Sequence, residues 1–75
     1  MPTIVVLGHV KLQMFGNDHN PPHFHIVTPD GEAIVDLNSM NIIRGRLRSK
    51  DLRTALNWAR QHAEELHDAW NELNG

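Results

Sequence analysis

His23-Phe24-His25-Ile26-Val27-Thr28-Pro29-Asp30-Gly31-Glu32-Ala33-Ile34-Val35-Asp36-Leu37 is the stretch that decides the architecture. Two strand-like runs, His23–Val27 and Glu32–Leu37, flank Thr28-Pro29-Asp30-Gly31. Proline has its φ preset for the second turn position and glycine suits the fourth, which fits a type I turn. The stretch therefore reads as a β-hairpin. Side chains alternate between the faces of a strand. With Val27 opposite Glu32, Phe24 and Ile26 share one face with Ala33, Val35 and Leu37. The other face carries His23, His25, Glu32 and Asp36, with Asp36 across from His23. A glycine bulge would slip the register by one residue and reverse that last placement.

Working outward, Ile4–Leu7 and Val10–Phe15 form another hairpin around Gly8-His9, where glycine in first position suits a type II′ turn. Val5 and Leu7 then share a face with Val10, Leu12 and Met14, while Lys11 and Gln13 fall opposite with Ile4, Val6 and Phe15. Gly16–Pro22 is loop, since its glycine, asparagines and prolines disfavour ladder pairing. Met40–Leu47 reads as a short edge strand or an ordered connection, with Gly45 marking a bend or a close backbone approach. Ser49 is the expected N-cap of a helix, and Asp51 places negative charge in its first turn. Leu52, Leu56, Ala59, Ala63, Leu66, Trp70 and Leu73 recur at helical spacing to near Gly75. The expected fold is α+β: a small antiparallel sheet of two hairpins, with an optional edge strand, packed against one long C-terminal helix. Part of that helix could overhang and face a second subunit.

The 75 residues suffice for a single domain, 1–75, with one small core. Chains of this size bury only about 60–65% of their unfolded surface, so a metal or a partner subunit is a plausible support. No cysteine is present, which excludes disulfides, thiolate zinc sites and cysteine nucleophiles. A formal charge of -2 argues against a general nucleic-acid coat protein. The start Met1-Pro2-Thr3-Ile4 lacks the features of a signal peptide, and no apolar run approaches the length of about 18 residues that a membrane span needs. Cytoplasmic residence without membrane contact is the expectation.

Chemistry concentrates in Asp18-His19-Asn20-Pro21-Pro22-His23-Phe24-His25, three imidazoles and a carboxylate around a stiff diproline. Alternate residues along a strand lie about 6.5–7 Å apart, so His23 and His25 can converge on one ion. His19 would arrive from the loop, with Asp18 as a ligand or as the acceptor that fixes an imidazole tautomer. A divalent transition metal such as zinc is the least demanding ion; iron, nickel and copper stay open. The same three histidines are candidates for acid–base catalysis. The plain alternative is hydrogen-bonded surface histidines, with Asp18 or Asn20 capping a turn.

Arg44, Arg46 and Arg48, followed by Lys50 and Arg53, make the one concentrated basic stretch. In an extended segment the three arginines line one side, suiting an anion or RNA backbone. A charged edge that resists strand aggregation explains the same alternation. Trp70 belongs on the apolar stripe, whereas Trp58 is rotated about 120° from it and is a candidate partner contact. His62 and His67 do not match a two-histidine helix site, and His9 is expected to be exposed. The histidines with the arginines would also fit phosphodiester cleavage. No phosphate loop, nucleophile elbow or dinucleotide fingerprint is present.

The chain resembles the DUF4160 family over nearly its whole length. The resemblance rests on Met1-Pro2-Thr3-Ile4, on Asp18-His19 followed by Pro21-Pro22-His23-Phe24-His25, and on Gly45-x-Leu47. It continues in Trp58-Ala59, Glu65-Leu66 and Trp70. Arg48 stands where proline is frequent in the family, and the tail beyond Trp70 is short. The resemblance implies no activity, cofactor or catalytic residue. It does imply pairing with a small DUF2442-like protein and a toxin–antitoxin-like role. The expected function is thus a small metal- or ligand-binding interaction module acting with such a partner or as a homo-oligomer. The alternatives are a small ribonuclease using His19, His23 or His25, and a structural or regulatory protein without a chemical site.

Overall fold

The turn at Thr28–Gly31 closes as its sequence requires. In the computed structural model, which describes residues 3–16 and 21–74, Val27 faces Glu32, Phe24 faces Val35, and His23 faces Asp36 without a slip in register. The Asp30 backbone N–H donates to the Thr28 hydroxyl at 3.1 Å, so the turn is braced by its own side chain. These strands are β3 (His23–Thr28) and β4 (Gly31–Asp36).

The first hairpin also follows the expected register. β1 (Thr3–Leu7) and β2 (Val10–Gln13) pair Leu7 with Val10 and Val5 with Leu12. Gly8 has φ +65 and His9 does not share that sign, as a type II′ turn demands. A bulge near Ile4 is the one irregularity of this pair. β2 runs antiparallel to β3, matching Leu12 with Ile26 and Gln13 with His25.

The edge-strand option for residues 40–47 is realised as β5 (Ile42–Gly45), which pairs with β4. Among the described residues the sheet therefore has five antiparallel strands in chain order, one more than two hairpins supply. Its connection is shaped by Asp36, whose Oδ1 accepts the backbone N–H of Asn38 at 2.8 Å and of Ser39 at 3.0 Å. Gly45 shows why the strand stops: with φ +90, a side chain there would collide with the Glu32 carbonyl oxygen and sit 2.9 Å from Ala33 Cα. Beyond Gly45 the chain leaves the strand, so the single extended row expected for Arg44, Arg46 and Arg48 does not form.

The single long helix is corrected to two, α1 (Ser49–Gln61) and α2 (Ala63–Asn74). His62 makes the break. Its backbone N–H is shared between Trp58 O and Ala59 O, and its Nδ1 also donates to Trp58 O at 2.8 Å. A side chain that competes for a helix carbonyl disturbs the ladder, and His62 sits at φ -122, ψ 29. The ladder resumes at once, with Leu66 N–H on His62 O. Ser49 is the first helical residue rather than the cap; the extended Arg48 holds the cap position without a side-chain bond.

α1 packs across β2 and β3. Ala55 and Ala59 meet Leu12, Met14, Phe24, Ile26, Val35 and Leu37 in one cluster that Leu66 and Trp70 complete. Each large side chain removed from water there contributes roughly 1.5–3 kcal/mol. α2 reaches the end of the sheet, where Asn74 Nδ2 donates to Phe15 O at 3.3 Å. No helix among the described residues is long and apolar enough to cross a membrane.

Candidate functional site

The alternation that buries Phe24 and Ile26 turns His23 and His25 to the opposite face of β3. The side chains of that face are half-buried or exposed, and at its His23 end α2 comes within reach through Trp70. His25 is the more enclosed imidazole. Its side chain is 15% exposed, and Nδ1 lies 2.9 Å from Glu32 Oε2, a diagonal neighbour on β4. Phe15 meets the His25 ring edge-on, with centroids 4.5 Å apart. His25 Nε2 is shut off from solvent.

His23 Nδ1 lies 2.8 Å from Pro21 O. A carbonyl only accepts, so this nitrogen carries the proton; the Glu32 carboxylate imposes the same on His25. Each neutral ring is thereby fixed as the Nδ1–H tautomer, with its lone pair on Nε2. The stiff diproline thus has a second use, since its first carbonyl sets a tautomer. The two ring centroids are 5.6 Å apart, and the His23 ring is 5.2 Å from that of Trp70.

Asp36 opposes His23 in register but serves another purpose. The backbone N–H groups of Ser39 and then Asn38 hold its carboxyl below the usual range, with a smaller pull from His23. Asp18 and His19, the other two expected ligands, lie outside the described residues. Among the described residues no three metal-ligating side chains come together.

Arg44 is opposite Ile34, which is opposite His25, so Gln13, His25, Ile34 and Arg44 form one cross-strand row. Adjacent strands lie about 4.8 Å apart, which places Arg44 roughly 10 Å from His25. The Arg46 backbone N–H donates to Glu32 O at 3.3 Å, while Arg48 Nε pairs with Asp30 Oδ2 at 3.4 Å. Trp58 is half-buried and lies flat on His62, ring centroids 4.1 Å apart.

Two contacts were missed in the sequence. His9, exposed as expected, places Nε2 2.8 Å from Oδ1 of the buried Asp51, tying the β1–β2 turn to α1. No local pattern announces a pair so distant in the chain. The Trp58–His62 stack did carry a signal, the i, i+4 spacing of helix neighbours.

Fold and site together define a small α+β domain with an imidazole pair on β3, at the end of the sheet where Trp70 of α2 meets His23. Residues 10–71 match the family described as a domain of unknown function, DUF4160, and the chain belongs to that family. No curated protein and no solved structure matches it.

Proposed function

We propose that this protein is a small metal- or ligand-binding interaction module whose binding centre is His23 and His25. The observation that carries the reading is that Nδ1 of His23 faces the Pro21 carbonyl and Nδ1 of His25 the Glu32 carboxylate, and on this reading Nε2 of each ring is the ligating atom. A carboxylate behind a ligating histidine fixes its orientation and strengthens it as a donor. Metal–nitrogen bonds of about 2.0–2.1 Å put two imidazoles on a tetrahedral ion with centroids roughly 5–5.5 Å apart. The observed 5.6 Å is close to that separation. Two rings supply half of a zinc set, and Asp18 and His19 are the sequence's candidates for the rest.

Elemental analysis of purified protein, with zinc titration calorimetry, tests this. The intact chain retains near-stoichiometric metal, and joint replacement His23→Ala/His25→Ala abolishes retention. A metal-free protein of undiminished stability, with no affinity for added transition ions, overturns the metal form of the proposal. The interaction role extends to a toxin–antitoxin-like pair with a DUF2442-like partner, where pull-down should depend on Trp58 or the arginine stretch.

A second reading, ribonuclease, is favoured by the row that aligns Arg44 with His25. One imidazole would take the proton of the ribose 2′-hydroxyl as its oxygen attacks phosphorus, another would protonate the 5′-oxygen as its bond to phosphorus breaks, and the guanidinium would face the phosphate. RNA turnover in chelator that vanishes in His23→Ala supports it. Turnover unchanged by replacing both histidines refutes it.

A further inference from the structure

The exposed edge of the sheet raises a question separate from the histidines. Among the described residues β5 has β4 on one side and no strand on the other. All four of its residues are exposed, including Ile42 at 42% and Ile43 at 51%. β5 is short, charged and bulged against β4, all of which resist strand aggregation, but an edge serving only that end would also keep its large apolar groups covered. Here two isoleucines stand beside Arg44, Arg46 and Arg48.

The basic charge of the chain is concentrated in the same place. Arg44, Arg46, Arg48, Lys50 and Arg53 account for five of the seven lysines and arginines. Among the described residues only one of these five forms an ion pair, Arg48 with Asp30 at 3.4 Å. Both partners are more than half exposed, the kind of pair worth about 0–1 kcal/mol, so it exchanges readily for a better acceptor. A second copy pairing edge to edge would bring arginines toward arginines, and like charges across strands are destabilising. Single-stranded nucleic acid needs aromatic platforms as well as charge. The four aromatics are already committed: Phe24 and Trp70 are buried, Phe15 lies against His25, and Trp58 is stacked on His62.

We infer that β5 is a docking edge for an extended, acidic segment of a partner protein. The segment adds a sixth strand through main-chain hydrogen bonds. Its carboxylates meet Arg44 on the strand and Arg46 where the chain leaves it, and its apolar side chains cover Ile42 on the opposite face. This role rests on the interaction reading proposed above, whose arginine stretch it assigns to an acidic strand, and it needs neither imidazole.

The test uses the full chain and three fluorescent probes: a short peptide alternating glutamate and valine, its lysine–valine counterpart, and oligouridine. The acidic peptide binds saturably, more weakly as salt rises, and shifts backbone amide resonances chiefly in Ile42–Gly45. Arg44→Glu/Arg46→Glu weakens binding at least about tenfold, while Arg60→Glu, the same charge reversal at an exposed position of α1, leaves it unchanged. Circular dichroism confirms that both variants fold. Equal binding of the two peptides, absence of acidic-peptide binding, preference for oligouridine, or light scattering that shows a dimer dissociated by the arginine variant each overturns the inference.

Discussion

Replacing Gly45 with alanine tests the step that ends the sheet and sets its edge. Two costs add. At φ +90 an L-residue is held in a region that costs about 1–2 kcal/mol. The new methyl must also enter space filled by the Glu32 carbonyl, with Ala33 Cα only 2.9 Å away. Both neighbours are backbone, so β5 has to lift off β4, which brings the total to roughly 2–4 kcal/mol. A 75-residue domain has only about 4–11 kcal/mol of stability, and at ~4–8 °C per kcal/mol the melting temperature falls by roughly 8–32 °C. Gly8→Ala is the internal control: its φ is also positive, at +65, but nothing lies within 4 Å of the added carbon. It should lose the conformational cost alone. Urea unfolding followed by circular dichroism separates the two. If Gly45→Ala unfolds within about 0.5 kcal/mol of Gly8→Ala, close approach to β4 is not what glycine serves at this position.

Three further outcomes follow from single contacts. His9→Ala deprives the buried Asp51 carboxylate of its bond, and Asp51 Oδ2 has no hydrogen-bond partner among the described residues. The expected loss in urea is about 1–3 kcal/mol, whereas a loss near zero would mean that Asp51 is satisfied without the imidazole. Asp36 has its carboxyl held low by the Ser39 and Asn38 N–H groups, so its stabilising effect is full above the ordinary aspartate range and fades as pH falls through the lowered folded value. The stability gap between wild type and Asp36→Ala should therefore narrow on acidification, and a gap independent of pH would refute this. His62→Ala leaves the Trp58 carbonyl to the backbone N–H of residue 62 without a competing imidazole and removes the ring stacked on Trp58, so helical ellipticity should rise and Trp58 fluorescence should change. If ellipticity stays the same, the break between α1 and α2 comes from the way α2 packs at the end of the sheet.

Both hairpins were legible because two independent signals agreed in each. Turn chemistry fixed the loop, alternation fixed the faces, and a slip of one residue would have turned Phe24 and Ile26 away from the helices. That alternation also placed His25 and Glu32 on one face, which is half of the candidate site. The helix break was illegible because Ala59, Ala63 and Leu66 keep helical spacing straight through His62, and the cause is a polar side chain turned onto a backbone carbonyl. Cap preference pointed to Ser49, yet the extended backbone falls one residue earlier, at Arg48. Burial of Asp51 depended on His9, a partner set by tertiary packing that helix periodicity does not encode.

Glu32 is where the two proposed surfaces meet. Its carboxylate orients His25, while its carbonyl accepts the Arg46 N–H and lies against Gly45. The side chain and the carbonyl of one residue are joined by few soft torsions, so β5 lifting from β4 would disturb the position of the acceptor that sets the His25 tautomer. That argument gives Gly45 a meaning beyond stability. A residue with no side chain lets β5 approach closely enough to hold Glu32 in place, and Glu32 in turn keeps the His25 lone pair on Nε2, the atom to which the proposed chemistry assigns the ligand.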